Sequence, residues 1–425
     1  MDDAHRPARG ANPVSTPERI PLHRPSIGDD EVAAVAGVLR SGWITTGEQC
    51  RRFEDEFAAS VGAPHAVAVN SCTAALHLAL EAAGLKRGDL VLVPTLTFAA
   101  TAEVVTYFGA TPVLVDCDPE TLCIDVGAAA EIAAELDAGR IVPGVRIPGR
   151  VHTIVPVHYA GQLADVDAVA ELARTHHIRV VEDAAHALPA HARASDGSWR
   201  SVGTTAEQTC FSFYANKTIT TGEGGMLVTA DPELAARARR MSLHGLSADA
   251  WQRYSEHGQW SYRILAPGYK YNLTDVAAAI GRVQLRKADE LAQARARIAD
   301  AYGALLGDLD EIELPRVRAD RRSSWHLYAI RLRLESLTID RRTFIEELGK
   351  HGIGASVHWM PLHLHPYYEE TQGYRPEHFP VATREWQRLV SLPIFPSLSE
   401  DAQARVAGVV RNLARRFARG RSAVG

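Results

Sequence analysis

"FSFYANKTITTGEGGM", residues 211–226, sets one lysine between an aromatic-rich stretch and a run of glycines. Phe211 to Tyr214 alternate an aromatic with a small or polar residue, which is the period of a strand, and Thr220 to Gly225 read as a tight turn. Lys217 lies between the two. An ammonium is costly to bury unless it is paired or loses its proton. A solvated lysine on a surface hairpin and a lysine held in a pocket both fit this stretch, and the rest of the chain decides between them.

Outward from there the chain keeps an α/β rhythm. Apolar runs of strand length occur at Ala66–Val69, Leu90–Val93, Pro112–Val115, Ile154–Val157, Val180–Glu182 and Thr209–Phe213. Helical patterns lie at Asp29–Arg40, Glu48–Val61, Thr73–Ala83, Phe98–Phe108 and Val166–His176. Apolar strands alternating with helices predict a largely parallel sheet covered on both faces, with ligands at the carboxyl ends of the strands. Near Gly268 the pattern changes. One long helical stretch, Leu273–Leu306, leaves the sheet. Apolar runs at His326–Leu334 and Val390–Ile394, with helices at Arg341–His351 and Ser399–Arg416, then predict a smaller α+β unit. The expected division is a mobile, proline-rich tail over 1–18, a large domain over 19–282, and a connecting helix with a small domain over 283–425.

Composition narrows the function classes. With 46% hydrophobic and 23% charged residues among 425, the chain reads as a soluble globular protein. A formal net charge of -5 gives no reason to expect nucleic acid or an acidic membrane as partner. The basic spots Arg316–Arg322 and Arg411–Arg421 read as solvated faces. Five scattered cysteines without a CxxC pair predict neither disulfides nor a zinc site and suit a reducing cytoplasm. The polar N-terminus does not read as a signal peptide, and no apolar run is expected to be long enough to span a bilayer. His358, His363 and His365 are too loosely spaced, without an acidic partner, to predict a metal.

Three further stretches bear on Lys217. In "AVAVNSCTAALHLAL", residues 66–80, a strand ends and a helix begins at Ser71, which either caps that helix or marks a helix N-terminus that receives a phosphate. In "RVVEDAAHALPA", residues 179–190, a strand delivers Glu182 and Asp183 to its carboxyl end, with His186 three residues beyond Asp183. Asp183 would cap a turn or face a cationic ring nitrogen, and His186 would be a buried histidine or reach a ligand hydroxyl. In "PTLTFAAT", residues 94–101, Phe98 is a core residue or lies flat on a planar ring. Phosphate site, carboxylate and lysine on successive loops of one sheet are what pyridoxal phosphate needs. The lysine takes the aldehyde as a Schiff base, and the carboxylate keeps the pyridine nitrogen protonated.

With these stretches, "HYAGQLADVD" (158–167), "PGYKYNLTDVAAAIGRVQL" (267–285) and "VHWMPLHLHPYY" (357–368), the chain resembles the pyridoxal-phosphate-dependent sugar-nucleotide aminotransferases of the DegT/DnrJ/StrS type over all but its two tails. The resemblance implies an aspartate-aminotransferase-like, fold-type I α/β architecture and a homodimer with shared active sites. It implies Lys217 as the cofactor lysine, Asp183 on the ring nitrogen, His186 at the ring hydroxyl and Phe98 on the ring face. Cys72, Thr73 and Ser212 would hold the phosphate, and Asn272 would reach the phosphate of the partner subunit. Tyr159, Gln162, His326 and His358 lie in motifs that the family uses around its substrate. Cys72 stands where glycine is more usual.

The implied reaction moves an amino group from glutamate to a nucleotide-linked keto-sugar. Branches that dehydrate keto-sugars carry histidine in place of the lysine, so Lys217 speaks against them. A non-catalytic sensor on the same fold is the alternative of another class. Within the family, "TITTGEGGM" after the lysine resembles enzymes aminating carbon 4 of a 4-keto-6-deoxyhexose, here thymidine diphosphate-linked. Amination of a 3-keto sugar or a keto-cyclitol is the alternative. The physical expectation attached to carbon 4 is that the threonines and Glu223 bring hydroxyls and a carboxylate close to the substrate.

Overall fold

The computed structural model describes residues 18–147, 149–247 and 263–419. Apart from its last residue, the tail expected over 1–18 lies outside the described residues. Seven strands form one sheet in the order His65–Val69, Gly225–Thr229, Gln208–Ser212, Arg179–Asp183, Val151–Ile154, Leu90–Pro94 and Thr111–Val115. All run parallel except Gly225–Thr229, which is antiparallel to both neighbours. The expectation of a largely parallel α/β sheet holds, and the antiparallel strand is the addition. It is the return limb of the turn after Lys217, and all five of its residues are buried. One predicted strand is displaced: Ile154–Val157 is in fact Val151–Ile154.

The period of two explains both faces. Val67, Val69 and Cys210 enter one hydrophobic cluster with helix Cys72–Ala82, while Ala66, Ala68, Phe211 and Phe213 enter another. Phe211 and Phe213 pack on Phe57 of helix Glu48–Val61, with ring centroids at 5.0 and 5.5 Å, and Phe53 also meets Phe213 at 5.2 Å. The aromatics that open the lysine stretch are therefore core residues. They fix the face toward which Ser212 points.

The predicted long helix Leu273–Leu306 is two helices, Asp275–Arg286 and Ala288–Leu306. No proline marks the break, and docking decides it. At the end of the first helix, Gln284 Nε2 donates to the Ser26 carbonyl and to Glu31 Oε1, both at 2.8 Å, and Lys287 pairs with Glu31 at 3.0 Å. The second helix turns Ile298, Ala299, Tyr302 and Leu306 into a separate core. That core packs on the antiparallel sheet Ile312–Glu313, Tyr328–Leu332 and Leu389–Leu392. Arg331 ties this unit to the large sheet by donating to the carbonyls of Pro119 and Glu120, both at 2.7 Å. The Arg316–Arg322 stretch is not simply solvated, because the Arg321 side chain is 3% exposed and pairs with Asp320 at 2.8 Å. Among the described residues no helix is long and apolar enough to cross a membrane.

Candidate active site

Strands His65–Val69, Arg179–Asp183 and Gln208–Ser212 point the same way and end at one edge of the sheet. At that edge Gly225 pairs with both Val69 and Ser212. A Cβ at Gly225 would lie 2.5 Å from the Ser71 carbonyl group and 2.7 Å from Cys72 N. Only glycine lets this strand lie against the turn that opens helix Cys72–Ala82. Ser71 caps that helix, its Oγ accepting the Ala74 N–H at 3.1 Å. Cys72 and Thr73 take the first two helical positions, where N–H groups have no intrahelical acceptor and an anion is favoured. Ser212 ends the neighbouring strand, directly opposite Gly225. Ser71 therefore acts as the helix cap, and the N–H groups of Cys72 and Thr73 lie at the helix start without an intrahelical acceptor.

Asp183 ends its strand in register with Cys210 and is 5% exposed. Its Oδ2 accepts the Thr101 hydroxyl at 2.8 Å and its Oδ1 accepts the Ala185 N–H at 3.0 Å. Strand alternation sends Glu182 the other way. There its carboxylate accepts the hydroxyls of Thr205 at 2.7 Å and Thr209 at 2.9 Å and faces His158 at 3.5 Å. Of the two carboxylates delivered by the strand, only Asp183 enters the site.

An aromatic wall completes it. The His186 ring lies 4.1 Å from His326 and stacks on Trp359 at 4.8 Å. Trp359 also meets Phe98 at 6.3 Å and Tyr159 at 6.2 Å. Phe98 keeps 59% of its surface exposed, so its ring face is available. His326 arrives from 140 positions downstream of His186 because Gly161, at φ 105°, leaves no side chain in its way: a Cβ there would sit 2.3 Å from Ser324 Oγ. Ser324 Oγ then donates to the His186 carbonyl at 2.5 Å. His358 is anchored through Nδ1 to Ser391 Oγ at 2.8 Å, and the Tyr159 hydroxyl donates to the His358 carbonyl at 2.8 Å.

The electrostatics favour uncharged nitrogen. Burial pushes the Lys217 ammonium down to about 8, against the opposing pull of Cys72 and Asp183. Burial and the lysine's own charge hold His186 and His326 well below the ordinary histidine range and bring His358 to about 4. Burial raises Asp183, while the Ala185 N–H, the Thr101 hydroxyl and Lys217 work against that rise. Burial likewise keeps the Cys72 thiol protonated. Lys217 is half-buried and lies within the field of the Asp183 carboxylate.

Some expected residues lie elsewhere. The Gln162 amide is held by the loop at 316–318, its Oε1 accepting the Arg318 N–H at 2.7 Å and its Nε2 donating to the Arg316 carbonyl at 3.4 Å. Asn272 turns to Thr46 Oγ1 at 2.7 Å and to Lys270. It lines a separate cleft of about 1170 Å³ with Trp43, Thr45 and His244. The threonines after the lysine build the turn: Thr220 Oγ1 donates to the Phe213 carbonyl at 3.0 Å, and Thr221 Oγ1 to the Glu223 carbonyl at 2.6 Å. The hydroxyls of Thr220 and Thr221 are spent on backbone, which corrects the expectation that these two approach the substrate. Glu223 remains exposed. Sequence reasoning missed Trp359, although "VHWMPLHLHPYY" contains it, and missed Thr97 and Thr101 inside "PTLTFAAT".

These residues fit pyridoxal phosphate. Gly225 makes the cradle at the helix start, Lys217 is an amine with a lowered pKa, and Asp183 uses one lone pair of each oxygen on the protein. Among the described residues the buried Nδ1 atoms of His186 and His326 find no hydrogen-bond partner, so they are open to a ligand.

A profile of the DegT/DnrJ/EryC1/StrS aminotransferase family matches residues 25–411. The chain is 42% identical over 395 residues to the spore coat polysaccharide biosynthesis protein SpsC of Bacillus subtilis, covering 93% of this chain and 97% of SpsC. Its fold is similar to that of Spr1654 of Streptococcus pneumoniae in the PLP form, with TM-score 0.82 and 30% identity over 94% of this chain and 99% of that one. It is also similar to the sugar aminotransferase CalS13 of Micromonospora echinospora, with TM-score 0.79 and 28% identity over 92% and 99% of the two chains.

Proposed function

The chain belongs to the DegT/DnrJ/EryC1/StrS aminotransferase family, and from its site we propose that it transfers an amino group from glutamate to carbon 4 of a thymidine diphosphate-linked 4-keto-6-deoxyhexose. It is a pyridoxal-phosphate-dependent sugar aminotransferase of fold type I. The observation that carries the residue assignment is the meeting of Lys217, Asp183 and the start of helix Cys72–Ala82 at one edge of the sheet. When bound, the cofactor supplies an electron sink that makes the carbon-bound proton of the amino donor acidic. Lys217 Nζ anchors the cofactor and, once released, takes that proton and returns it elsewhere. An amine whose pKa is near the working pH suits both halves of that task. Asp183 holds the proton on the ring nitrogen, Phe98 covers one ring face and His186 meets the ring hydroxyl. Cys72 N–H, Thr73 and Ser212 Oγ hold the phosphate. Tyr159, His326 and His358 border the substrate, and Gln162 supports the loop beside them. The product is an amino sugar for polysaccharide assembly, in keeping with the 42% identity to SpsC.

The position of amination rests on the resemblance of the TITTGEGGM segment and on the exposed Glu223. Supplying matched 3-keto and 4-keto sugar nucleotides with glutamate, the new amine is expected at carbon 4 by NMR, with 2-oxoglutarate formed in equal amount. A product aminated only at carbon 3 would overturn the assignment and leave the aminotransferase reading standing.

The active form is a homodimer in which Asn272 serves the phosphate of the partner subunit. The turn of its side chain toward Thr46, in a cleft of its own, supports this. Lys217→Ala and Asn272→Ala chains, each impaired alone, are expected to regain part of the activity when mixed, since one site of each hybrid carries neither lesion. No recovery in verified hybrids would reject the sharing.

A further inference from the structure

Asp183 does not stand alone at its strand end. Its Oδ2 accepts from Thr101 Oγ1 at 2.8 Å, and Thr101 Oγ1 lies 2.8 Å from Thr97 Oγ1. Thr101 is fully buried and Thr97 is 2% exposed, so no solvent competes for these hydroxyls. A carboxylate only accepts, and therefore Thr101 donates to Asp183. The proton between the two threonines must then come from Thr97. The three groups form a relay with one direction, from Thr97 through Thr101 to Asp183. It starts from the loop that carries Phe98, and the Thr101 N–H closes on the Phe98 carbonyl at 3.3 Å. One turn of chain thus places the ring-covering aromatic and the donor to the ring's carboxylate together.

The geometry points to Thr101 as a positioning residue for Asp183, with Thr97 setting the direction of its hydroxyl. The inference rests on the reading that Asp183 holds the proton of the cofactor ring nitrogen. The carboxylate also faces Lys217, His158 and the thiols of Cys72 and Cys210. The thiols stay protonated and carry no charge to compensate. Hydrogen bonds to Oδ1 and Oδ2 spread the negative charge, orient the carboxylate and keep it a weak base. Without the Thr101 hydroxyl the carboxylate would become more basic, and it would hold the ring-nitrogen proton closer to itself. The electron sink is weakened while the donor's binding contacts stay in place.

The test uses the full-length holoenzyme and two readouts, the visible absorbance of the bound cofactor and the split between kcat and KM. Thr101→Val keeps the shape of the side chain and removes the hydroxyl. It is expected to shift the absorbance band and to lower kcat roughly tenfold, with the KM for glutamate changed by less than about twofold, the size expected for one hydrogen bond to a charged group. Thr101→Ser, which keeps the hydroxyl, restores both. If Thr101→Val does not fold by circular dichroism, Thr97→Val gives the second reading. It is expected to move the band in the same direction by a smaller amount. A wild-type band and kcat in folded Thr101→Val, or an unmoved band in Thr97→Val where the first variant cannot be read, overturns the inference. Asp183→Asn separates the two levels. A strong effect there with none at Thr101 refutes the relay alone, and no effect at Asp183 refutes the relay together with the assignment of the ring nitrogen.

Discussion

Lys217→Ala is expected to abolish both the visible absorbance of the bound cofactor and amino transfer. The lysine holds two roles in one atom, the covalent anchor and the base. The three nearby imidazoles are held neutral but are fixed by neighbouring rings and a hydroxyl: His186 by His326 and Trp359, His358 by Ser391 Oγ. Loss of a positioned general base alone costs about 10² to 10⁴-fold, and loss of the anchor adds to that. The lowered pKa, about 8, gives the claim a pH signature. The folded protein releases the lysine proton near 8, whereas the unfolded chain keeps it to the ordinary, higher value. Between these the unfolded state binds more protons, so the lysine's contribution to stability rises with pH through that window. In the wild type, capture of added pyridoxal phosphate by the apoprotein should quicken as pH rises toward 8 and level off above it, because only the neutral amine attacks. A Lys217→Ala protein that still turned over at the wild-type rate, or capture independent of pH, would remove lysine from the centre of the site.

Asp183→Asn is expected to fold, to bind cofactor more weakly and to lose about 100-fold or more of its kcat. The estimate follows from leaving a buried cation, the protonated ring nitrogen, without its partner, a loss worth about 3–5 kcal/mol in protein interiors. Asparagine preserves the shape and still accepts the Thr101 hydroxyl through its oxygen. The amide end, however, is a donor that cannot hold a proton on a ring nitrogen. The absorbance band should therefore move even where the fold, read by circular dichroism, does not. Unchanged kinetics would show that another group holds that proton. Glu182 is the adjacent carboxylate, but it lies on the far side of the strand among Thr205, Thr209 and His158.

Much of this site was legible because its parts are local. Lys217, Asp183, Ser212 and the start of helix Cys72–Ala82 each follow a short apolar strand, and a period-two run ending in a polar residue announces itself in a few letters. The boundaries of helices Glu48–Val61 and Val166–His176 were equally plain, since their apolar stripes are continuous. Strand Gly225–Thr229 was not, because the glycine turn before it marks an end and says nothing of the direction in which the chain returns. The break at Lys287 was hidden as well, since both helices are rich in good helix formers and only the Glu31 and Gln284 contacts decide where the first one stops.

By itself the chain of letters determined the α/β class, the order of the strands along the chain and the residues offered at their carboxyl ends, because these depend on periodicity and on interactions within a few residues. Only the tertiary structure decided which of those residues meet. It put His326 against His186 through the space left at Gly161, brought Trp359 into the wall, and turned Glu182 and Gln162 away. It spent the hydroxyls of Thr220 and Thr221 on a turn and lined up Thr97 and Thr101 behind Asp183. The physical reason is that a side chain's partner at a distance of a hundred residues is set by packing and by competition for hydrogen bonds, neither of which any local pattern encodes.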